Sequence, residues 1–103
     1  MVELLGGFMP KRAVPLVLQD ERQKVEILKR VKRAEGQISG VIRMLEDGRN
    51  CEEVVHQMAA VGKAINTAAV TLIAASLQEC LADKKTNTPE QRERLQKLFL
   101  SLT

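Results

Sequence analysis

The chain has 103 residues, a net charge of +3 and only two aromatic side chains, Phe8 and Phe99. This length fits a single domain, and a core made of Leu, Ile, Val, Met and Ala favours helices. With one His and no glycine-rich phosphate loop, the sequence contains no acid–base or hydrolytic constellation. We therefore expect neither an enzyme nor a bound cofactor.

Residues 1–19 are predicted to form a flexible N-terminal arm, and residues 20–103 a single all-helical domain. The arm contains two glycines and two prolines and has no clean hydrophobic period. Its start lacks the charged and apolar regions of a signal peptide, and we expect no apolar run of transmembrane length. The sequence therefore predicts a cytoplasmic protein with no membrane partner.

A first helix of medium length is predicted from an N-cap at Asp20 to about Asp47. Gly48 suits the position after the helix, and Asn50 follows closely as the N-cap of a second helix. Such a short turn makes the two helices an antiparallel hairpin. The apolar residues of the first helix form a heptad-like seam: Leu28, Val31, Ile38, Ile42 and Leu45.

The second predicted helix is long and runs from Asn50 to Ala82 without a proline. Glu53 lies three positions after Asn50 and gives a variant of the capping box. We expect this helix to be mostly buried, and so small a chain has too little surface of its own to cover it, so oligomerisation is predicted. Its apolar residues form two stripes of helical period: Val54, Met58, Val61, Ile65, Ala68 and Leu72, and beside them Val55, Ala69, Ile73 and Leu77.

A short third helix is predicted after the N-cap Thr88, with Pro89 at its first position and Gln91 completing a capping box. Its apolar stripe consists of Leu95, Leu98, Phe99 and Leu102. The protomer is therefore predicted to contain three helices, which are medium, long and short in chain order.

The two cysteines stand at opposite ends of the long helix, 29 positions apart. A straight helix holds Cys51 and Cys80 on the same side but roughly 44 Å apart. A disulfide needs Cα atoms within about 7 Å, so the two thiols of one chain cannot meet. An antiparallel two-fold pairing of two such helices would bring Cys51 of one chain beside Cys80 of the other, twice per dimer.

The two thiols have different surroundings. Cys51 is the first residue of its helix, where unpaired N–H groups and the helix dipole favour the thiolate. Cys80 lies in the last turn, where the dipole, Glu79 and Asp83 oppose the thiolate. An attacking thiol would thus face a resolving thiol, as in a redox sensor. The alternative is a pair of ordinary buried cysteines, because free Cys is among the most buried residue types.

A metal site would need further ligands. His56 is the only histidine, and it does not share the helix face of Cys51. In the antiparallel dimer the position that would complete a Cys-His-Cys site is Ser76, a poor ligand for a soft metal. Two thiolates alone suffice for linear Cu(I), so Cys51 and Cys80 leave copper open.

Residues 22–33 contain six basic side chains against one acidic side chain. Such a run fits either a solvated helix face or an anionic partner such as nucleic acid. No helix-turn-helix, zinc-finger or strand signature identifies a groove-reading element.

The stretch from Arg30 to Ile65 resembles the copper-sensitive-operon repressor (CsoR-like) family. The resemblance covers residues 22 to about 100, and its motif R-x-x-G-Q-x-x-G, then a turn and a cysteine, is found here at Arg33, Gly36, Gln37, Gly40 and Cys51. It implies an antiparallel four-helix-bundle dimer, paired into a dimer-of-dimers tetramer, that represses transcription until an inducer bound between subunits releases operator DNA. It also implies a DNA face lined by Lys29, Arg33 and Gln37, with Arg22 and Arg43 as weaker candidates.

The ligand positions of the family distinguish its branches. Copper sensors carry Cys, His and Cys where this chain has Cys51, Ser76 and Cys80. Nickel or cobalt sensors use several His, and formaldehyde sensors keep the same His with a near-terminal Pro, so neither pattern is matched. Two cysteines without that His, and the run SLQECL, resemble the persulfide-sensing (CstR-like) branch.

The function predicted from this resemblance is a repressor that leaves DNA when a low-molecular-weight persulfide acts on its thiols. The product would be an inter-subunit di-, tri- or tetrasulfide between Cys51 and Cys80 of the partner chain. One alternative is a Cu(I)-sensing repressor that uses the same two cysteines. Another is a helical thiol- or metal-buffering protein that binds no DNA.

Overall fold

The computed structural model describes residues 15–102, which fold into three α-helices. Helix α1 spans Glu21–Glu46, α2 spans Cys51–Ala82 and α3 spans Pro89–Leu100. No strand occurs among the residues described, so the predicted all-α protomer of medium, long and short helices is confirmed. Most of the predicted N-terminal arm lies outside the described residues.

Local capping explains where α1 begins and where it ends. The side chain of Asp20 accepts hydrogen bonds from the backbone N–H groups of Arg22 and Gln23, at 2.9 and 3.2 Å. After α1 the chain turns at Gly48, whose φ of 70° lies in the left-handed region that glycine adopts without strain. The connection to α2 is therefore short, and α1 and α2 pack as the predicted antiparallel hairpin.

The two predicted capping boxes form only in part. Asn50 caps α2 by accepting from the N–H of Glu52 at 2.7 Å, while Glu53 pairs with Arg49, also at 2.7 Å. Thr88 caps α3 by accepting from the N–H of Gln91 at 3.2 Å. The side chain of Gln91 then accepts from Arg94 instead of reaching back to the cap. Both N-caps are confirmed, whereas the side chains of Glu53 and Gln91 contact arginines instead.

The core of the single chain is small. Leu18, Ile27 and Ala75 form its buried cluster, and Leu95 of α3 is only 2 % exposed. In the part of the chain that is described, no large side chain is fully buried. The expectation that α2 is mostly buried is therefore wrong for one chain, because α1 and α3 are too short to surround it.

Helix α1 has three distinct faces. One packs on α2 through Ile27 and Ala34. At ~100° per residue, a second face carries Arg22, Lys29 and Arg43, which are separated by one and two heptads. The apolar seam lies roughly opposite this basic face and is exposed throughout: Leu28, Val31, Ile38, Ile42 and Leu45.

Helix α2 also carries an apolar stripe that no other part of residues 15–102 covers. Met58, Ile65 and Leu72 are exposed and continue the heptad spacing that starts at Cys51. Contiguous exposed apolar faces mark interaction surfaces in soluble proteins. The stripe therefore offers a surface for a second copy of the chain, along the same face as the thiol.

By length and composition, α2 is apolar enough to cross a membrane, with a mean hydropathy of 1.5 over its most apolar part. The expectation that no apolar run reaches transmembrane length is therefore wrong. This is weak support for a membrane span, because the core helix of a soluble protein passes the same test. Only 11 % of that part is buried within the single chain, which is consistent with cover by a partner subunit.

The exposed stripe predicts an oligomer whose interface includes Ile65. In solution the reduced protein should be a dimer or a tetramer by light scattering. Ile65→Glu should lower the molecular mass, because burying an unpaired carboxylate in an apolar interface is strongly unfavourable. Gln57→Glu, which places the same charge on an exposed position outside the stripe, should leave the mass unchanged. A monomeric wild-type protein would contradict this account of the two faces.

Candidate sensor site and nucleic-acid interface

Cys51 is exposed at the first residue of α2. Its own backbone lies in the first turn, where the N–H groups of a helix lack intrahelical partners. The side chain of the preceding Asn50 satisfies the N–H of Glu52. The thiol of Cys51 is thus open to solvent and to any second chain that covers the apolar stripe of α2.

Cys80 has the opposite environment. It is buried, with 4 % of its surface exposed, in the last turn of α2. Its thiol donates a hydrogen bond to the carbonyl oxygen of Thr86 at 2.9 Å, and the Thr86 hydroxyl donates to the carbonyl of Cys80 at 3.1 Å. These reciprocal bonds hold the loop between α2 and α3 against the thiol.

A pocket of about 190 Å³ adjoins Cys80. Ser76, Glu79 and Asp83 line it from the C-terminal part of α2, and Thr86 lines it from the following loop. The remaining wall comes from the segment that precedes α1: Pro15, Leu16, Val17 and Gln19. The pocket beside Cys80 is therefore bounded by the segment before α1, by the C-terminal part of α2 and by the loop that follows it.

The structure keeps the two thiols of one chain far apart. A single uninterrupted helix runs from Cys51 to Ala82, so the rise of ~1.5 Å per residue separates the cysteines by roughly 44 Å. Both cysteines are free. The predicted meeting of Cys51 with Cys80 thus needs a second chain, and it stays a prediction.

No metal site is complete within the part of the chain that is described. These residues contain no group of three or more His, Cys, Asp or Glu side chains placed to hold an ion. His56 is exposed on α2 and lies near the opposite end of that helix from Cys80. Ser76 lines the Cys80 pocket one turn before the cysteine, so a hydroxyl stands where a third soft ligand would be needed.

The predicted DNA-contacting residues lie on α1 with different environments. Arg22, Arg33 and Arg43 are exposed, and Lys29 pairs with Glu26 at 3.5 Å on the surface. Surface pairs of this kind are worth only ~0.2–1 kcal/mol, so Lys29 remains available to an anion. With Arg33 one turn from Lys29, these cations extend over roughly 30 Å of one helix face.

Gln37 differs from the other four candidates. Its side chain is only partly exposed, and its Oε1 atom is buried without a hydrogen-bond partner. A buried amide oxygen without a partner is energetically unfavourable. The structure places Gln37 beside the α1–α2 contact rather than in the centre of the basic face.

A basic groove between α1 and α2 was not identified from the sequence. It has a volume of about 300 Å³ and is lined by Arg30 and Arg33 of α1 and by Lys63 of α2. In residues 15–102 none of these three cations forms an ion pair with a carboxylate. Lys63 is the only Lys or Arg in α2. This was the one feature of the sequence that could have indicated the groove.

The sequence profile of metal-sensitive transcriptional repressors matches residues 23–101. The chain belongs to this family. The match extends over all three helices, so the basic face, the groove and both cysteines fall within it. Members of the family are transcriptional repressors rather than enzymes, in agreement with the absence of an acid–base constellation in the sequence.

Two relatives are named as copper-sensing transcriptional repressors. RicR of Mycobacterium tuberculosis is 37 % identical over 60 residues, which cover 58 % of this chain and 62 % of RicR. CsoR of Bacillus subtilis is 34 % identical over 65 residues, covering 63 % of this chain and 64 % of CsoR. The chain thus spans a little under two thirds of the length of each.

A third relative has no assigned role. An uncharacterized protein in the bioA 5′ region of Serratia marcescens is 38 % identical over 72 residues, covering 70 % of this chain and 78 % of that protein. No solved structure matches the chain.

The groove predicts that cations from both helices contribute to DNA binding. Arg33→Ala and Lys63→Ala should each weaken binding to a promoter fragment and lower the slope of log affinity against log salt by about one, as expected for loss of one phosphate contact. Lys97→Ala, on α3 and paired with Glu93, serves as the control and should leave the slope unchanged. Gel-shift titrations at several salt concentrations measure both quantities. Unchanged slopes in the first two variants would contradict this interface.

Proposed function

We propose that the protein is an operator-binding transcriptional repressor whose inducer acts on the Cys51 and Cys80 thiols. The observation that carries the proposal is the combination of membership in a repressor family with unpaired cations at the α1–α2 groove. Cations without carboxylate partners are free to neutralise DNA phosphates. This neutralisation supplies most of the affinity of sequence-independent DNA binding. A cytoplasmic location, where such DNA is found, is part of the proposal.

The assembly proposed is a dimer in which two α2 helices pair antiparallel along their exposed stripes, with two dimers forming a tetramer. A two-fold axis near Ile65 puts each Cys51 opposite Cys80 of the partner, because the two cysteines are almost equally far from that residue. Each dimer then contains two identical dithiol sites. The exposed seam of α1 remains available for contacts between dimers.

We infer that the inducer is a low-molecular-weight persulfide, and that the persulfide supplies the oxidising equivalent. The Cys51 thiolate attacks the outer sulfur of R–S–SH, forming Cys51–S–SH and releasing RS⁻. The thiol of Cys80 in the partner loses its proton and attacks the inner sulfur, forming the Cys51–S–S–Cys80 bond and releasing HS⁻. If further persulfides first add sulfur to Cys51, the same reaction yields a tri- or tetrasulfide.

The environments of the two thiols support this division of roles. The exposed Cys51 can meet a molecule arriving from solvent, whereas the buried Cys80 thiol donates a hydrogen bond to the carbonyl oxygen of Thr86 and is less accessible. Ser76 supports an inducer that needs no third ligand. The link between subunits would change how the two α2 helices pair, and with it the spacing of the basic faces on α1.

Cu(I) is the second candidate inducer, and the names of RicR and CsoR favour it. Cys51 and Cys80 of the partner can supply two thiolates, which suit this soft ion in linear coordination. The Ser76 hydroxyl would add little to such a site. A thiol- or metal-buffering protein that binds no DNA, the remaining alternative, agrees less well with the repressor family.

The proposed roles of the thiols predict different products in two serine variants. Cys51→Ser should abolish the response to glutathione persulfide, because no exposed nucleophile remains. Cys80→Ser should leave Cys51 modified by one added sulfur, with no link between chains and with DNA still bound. Intact-mass spectrometry on non-reduced protein and gel shifts measure these outcomes. A cross-linked dimer in either variant would contradict the mechanism.

Ser76 provides the test between the two inducers. Wild-type protein should stay on DNA at stoichiometric Cu(I), whereas Ser76→His should be released, because an imidazole completes a Cys-His-Cys set. Ser76→Ala is the matched control and should behave as wild type. Release of the wild-type protein by Cu(I), together with no added sulfur between chains after persulfide treatment, would establish copper as the inducer instead.

A further inference from the structure

The described residues before α1 are fixed against the C-terminal part of α2. Leu18 is 8 % exposed and packs with Ile27 of α1 and Ala75 of α2 in the buried cluster. Pro15, Leu16 and Val17 lie against the pocket that adjoins Cys80. Residues 15–19 therefore cover one side of the Cys80 thiol, and Leu18 anchors them to both helices.

One carboxylate holds this segment in place. Glu79 accepts hydrogen bonds from the backbone N–H of Gln19 at 2.9 and 3.1 Å and from that of Asp20 at 2.7 Å. Hydrogen bonds to an ionised acceptor are roughly twice as strong as neutral ones. The acceptor is the residue directly before Cys80, so the attachment point of the segment and the buried thiol share one helical turn.

We propose that residues 15–19 form a lid over the Cys80 thiol, latched by Glu79, and that the lid must open before Cys80 reacts with anything from outside its chain. Thr86 closes the opposite side through its bonds to Cys80. The pocket between these residues and Cys80 has a volume of about 190 Å³.

The latch is built to open reversibly. Both donors are exposed residues, so water replaces the Glu79 carboxylate when the lid lifts. Leu18 then leaves its buried cluster with Ile27 and Ala75. Local openings of this kind need less free energy than global unfolding. A reagent that reacts only with the open state therefore reacts at a rate set by the fraction of molecules in which the lid is open.

The lid also joins the sensor end of α2 to the start of α1. Asp20 is both a donor to Glu79 and the N-cap of α1, which carries Arg22 in its first turn. Opening the lid therefore loosens the first turn of the helix that bears the basic face. This consequence for DNA binding rests on the proposed function, whereas the lid itself does not.

Iodoacetamide alkylation of the full-length reduced protein tests the lid without DNA or inducer, so its outcome is independent of the proposed function. Peptide mass spectrometry follows Cys80 and uses the exposed Cys51 as an internal reference. Glu79→Gln removes the carboxylate, and Gln19→Pro removes one donor while leaving the carboxylate in place. In both variants the ratio of Cys80 to Cys51 alkylation rates should rise, by about tenfold for Glu79→Gln, as expected for loss of a charge-assisted hydrogen bond.

Asp83→Asn is the matched control for charge. It neutralises a carboxylate that lines the same pocket but accepts its hydrogen bond from the backbone N–H of Lys85. The ratio of Cys80 to Cys51 alkylation rates in this variant should stay within about twofold of wild type, because the substitution removes no hydrogen bond to the lid. An equal rise in Asp83→Asn would show that charge alone controls Cys80 and would overturn the proposal.

One further outcome would also overturn it: an unchanged ratio of Cys80 to Cys51 alkylation rates in both Glu79→Gln and Gln19→Pro, whether or not both thiols react faster. Hydrogen exchange at the Gln19 and Asp20 amides provides a separate readout: both should be protected in the wild type and should exchange faster in Glu79→Gln. Exchange at the same rate in both proteins would contradict the latch.

Discussion

The fold depends on one uninterrupted helix that carries a free cysteine at each end. Because α2 is continuous from Cys51 to Ala82, its own rigidity separates the two thiols by roughly 44 Å, and no movement of side chains can bring them together. The same helix is too long for α1 and α3 to cover, so its apolar stripe stays exposed. A second copy of the chain would both cover the apolar stripe and bring a second thiol beside each cysteine.

In the proposed repressor, helix α1 would connect the assembly to DNA, because its faces are separated. Its apolar seam and its basic face lie on roughly opposite sides, so one helix can contact another subunit and a polyanion at once. Lys63 joins the basic surface from α2, so the groove depends on how α1 packs against α2. A change in the pairing of two α2 helices would therefore move cations on both elements together.

Short-range signals predicted the helices well. Asp20, Asn50 and Thr88 were identified as N-caps because a capping side chain and its N–H partner lie within a few residues. The groove at Arg30 and Lys63 and the latch between Glu79 and Gln19 join residues far apart in sequence, so no local pattern indicates them. The burial of α2 was overestimated for a related reason, since periodicity identifies an apolar face but not the chain that covers it.

The central claim is that each dithiol site lies between two chains. Equal amounts of ¹⁵N-labelled and unlabelled protein, mixed by unfolding and refolding and then cross-linked with a persulfide, test it by mass spectrometry of the peptide pair that contains Cys51 and Cys80. An inter-subunit link predicts that about half of these pairs join one labelled and one unlabelled peptide, as random pairing across a two-fold interface requires. Pairs in which both peptides always carry the same label would show a link within one chain and would contradict the account.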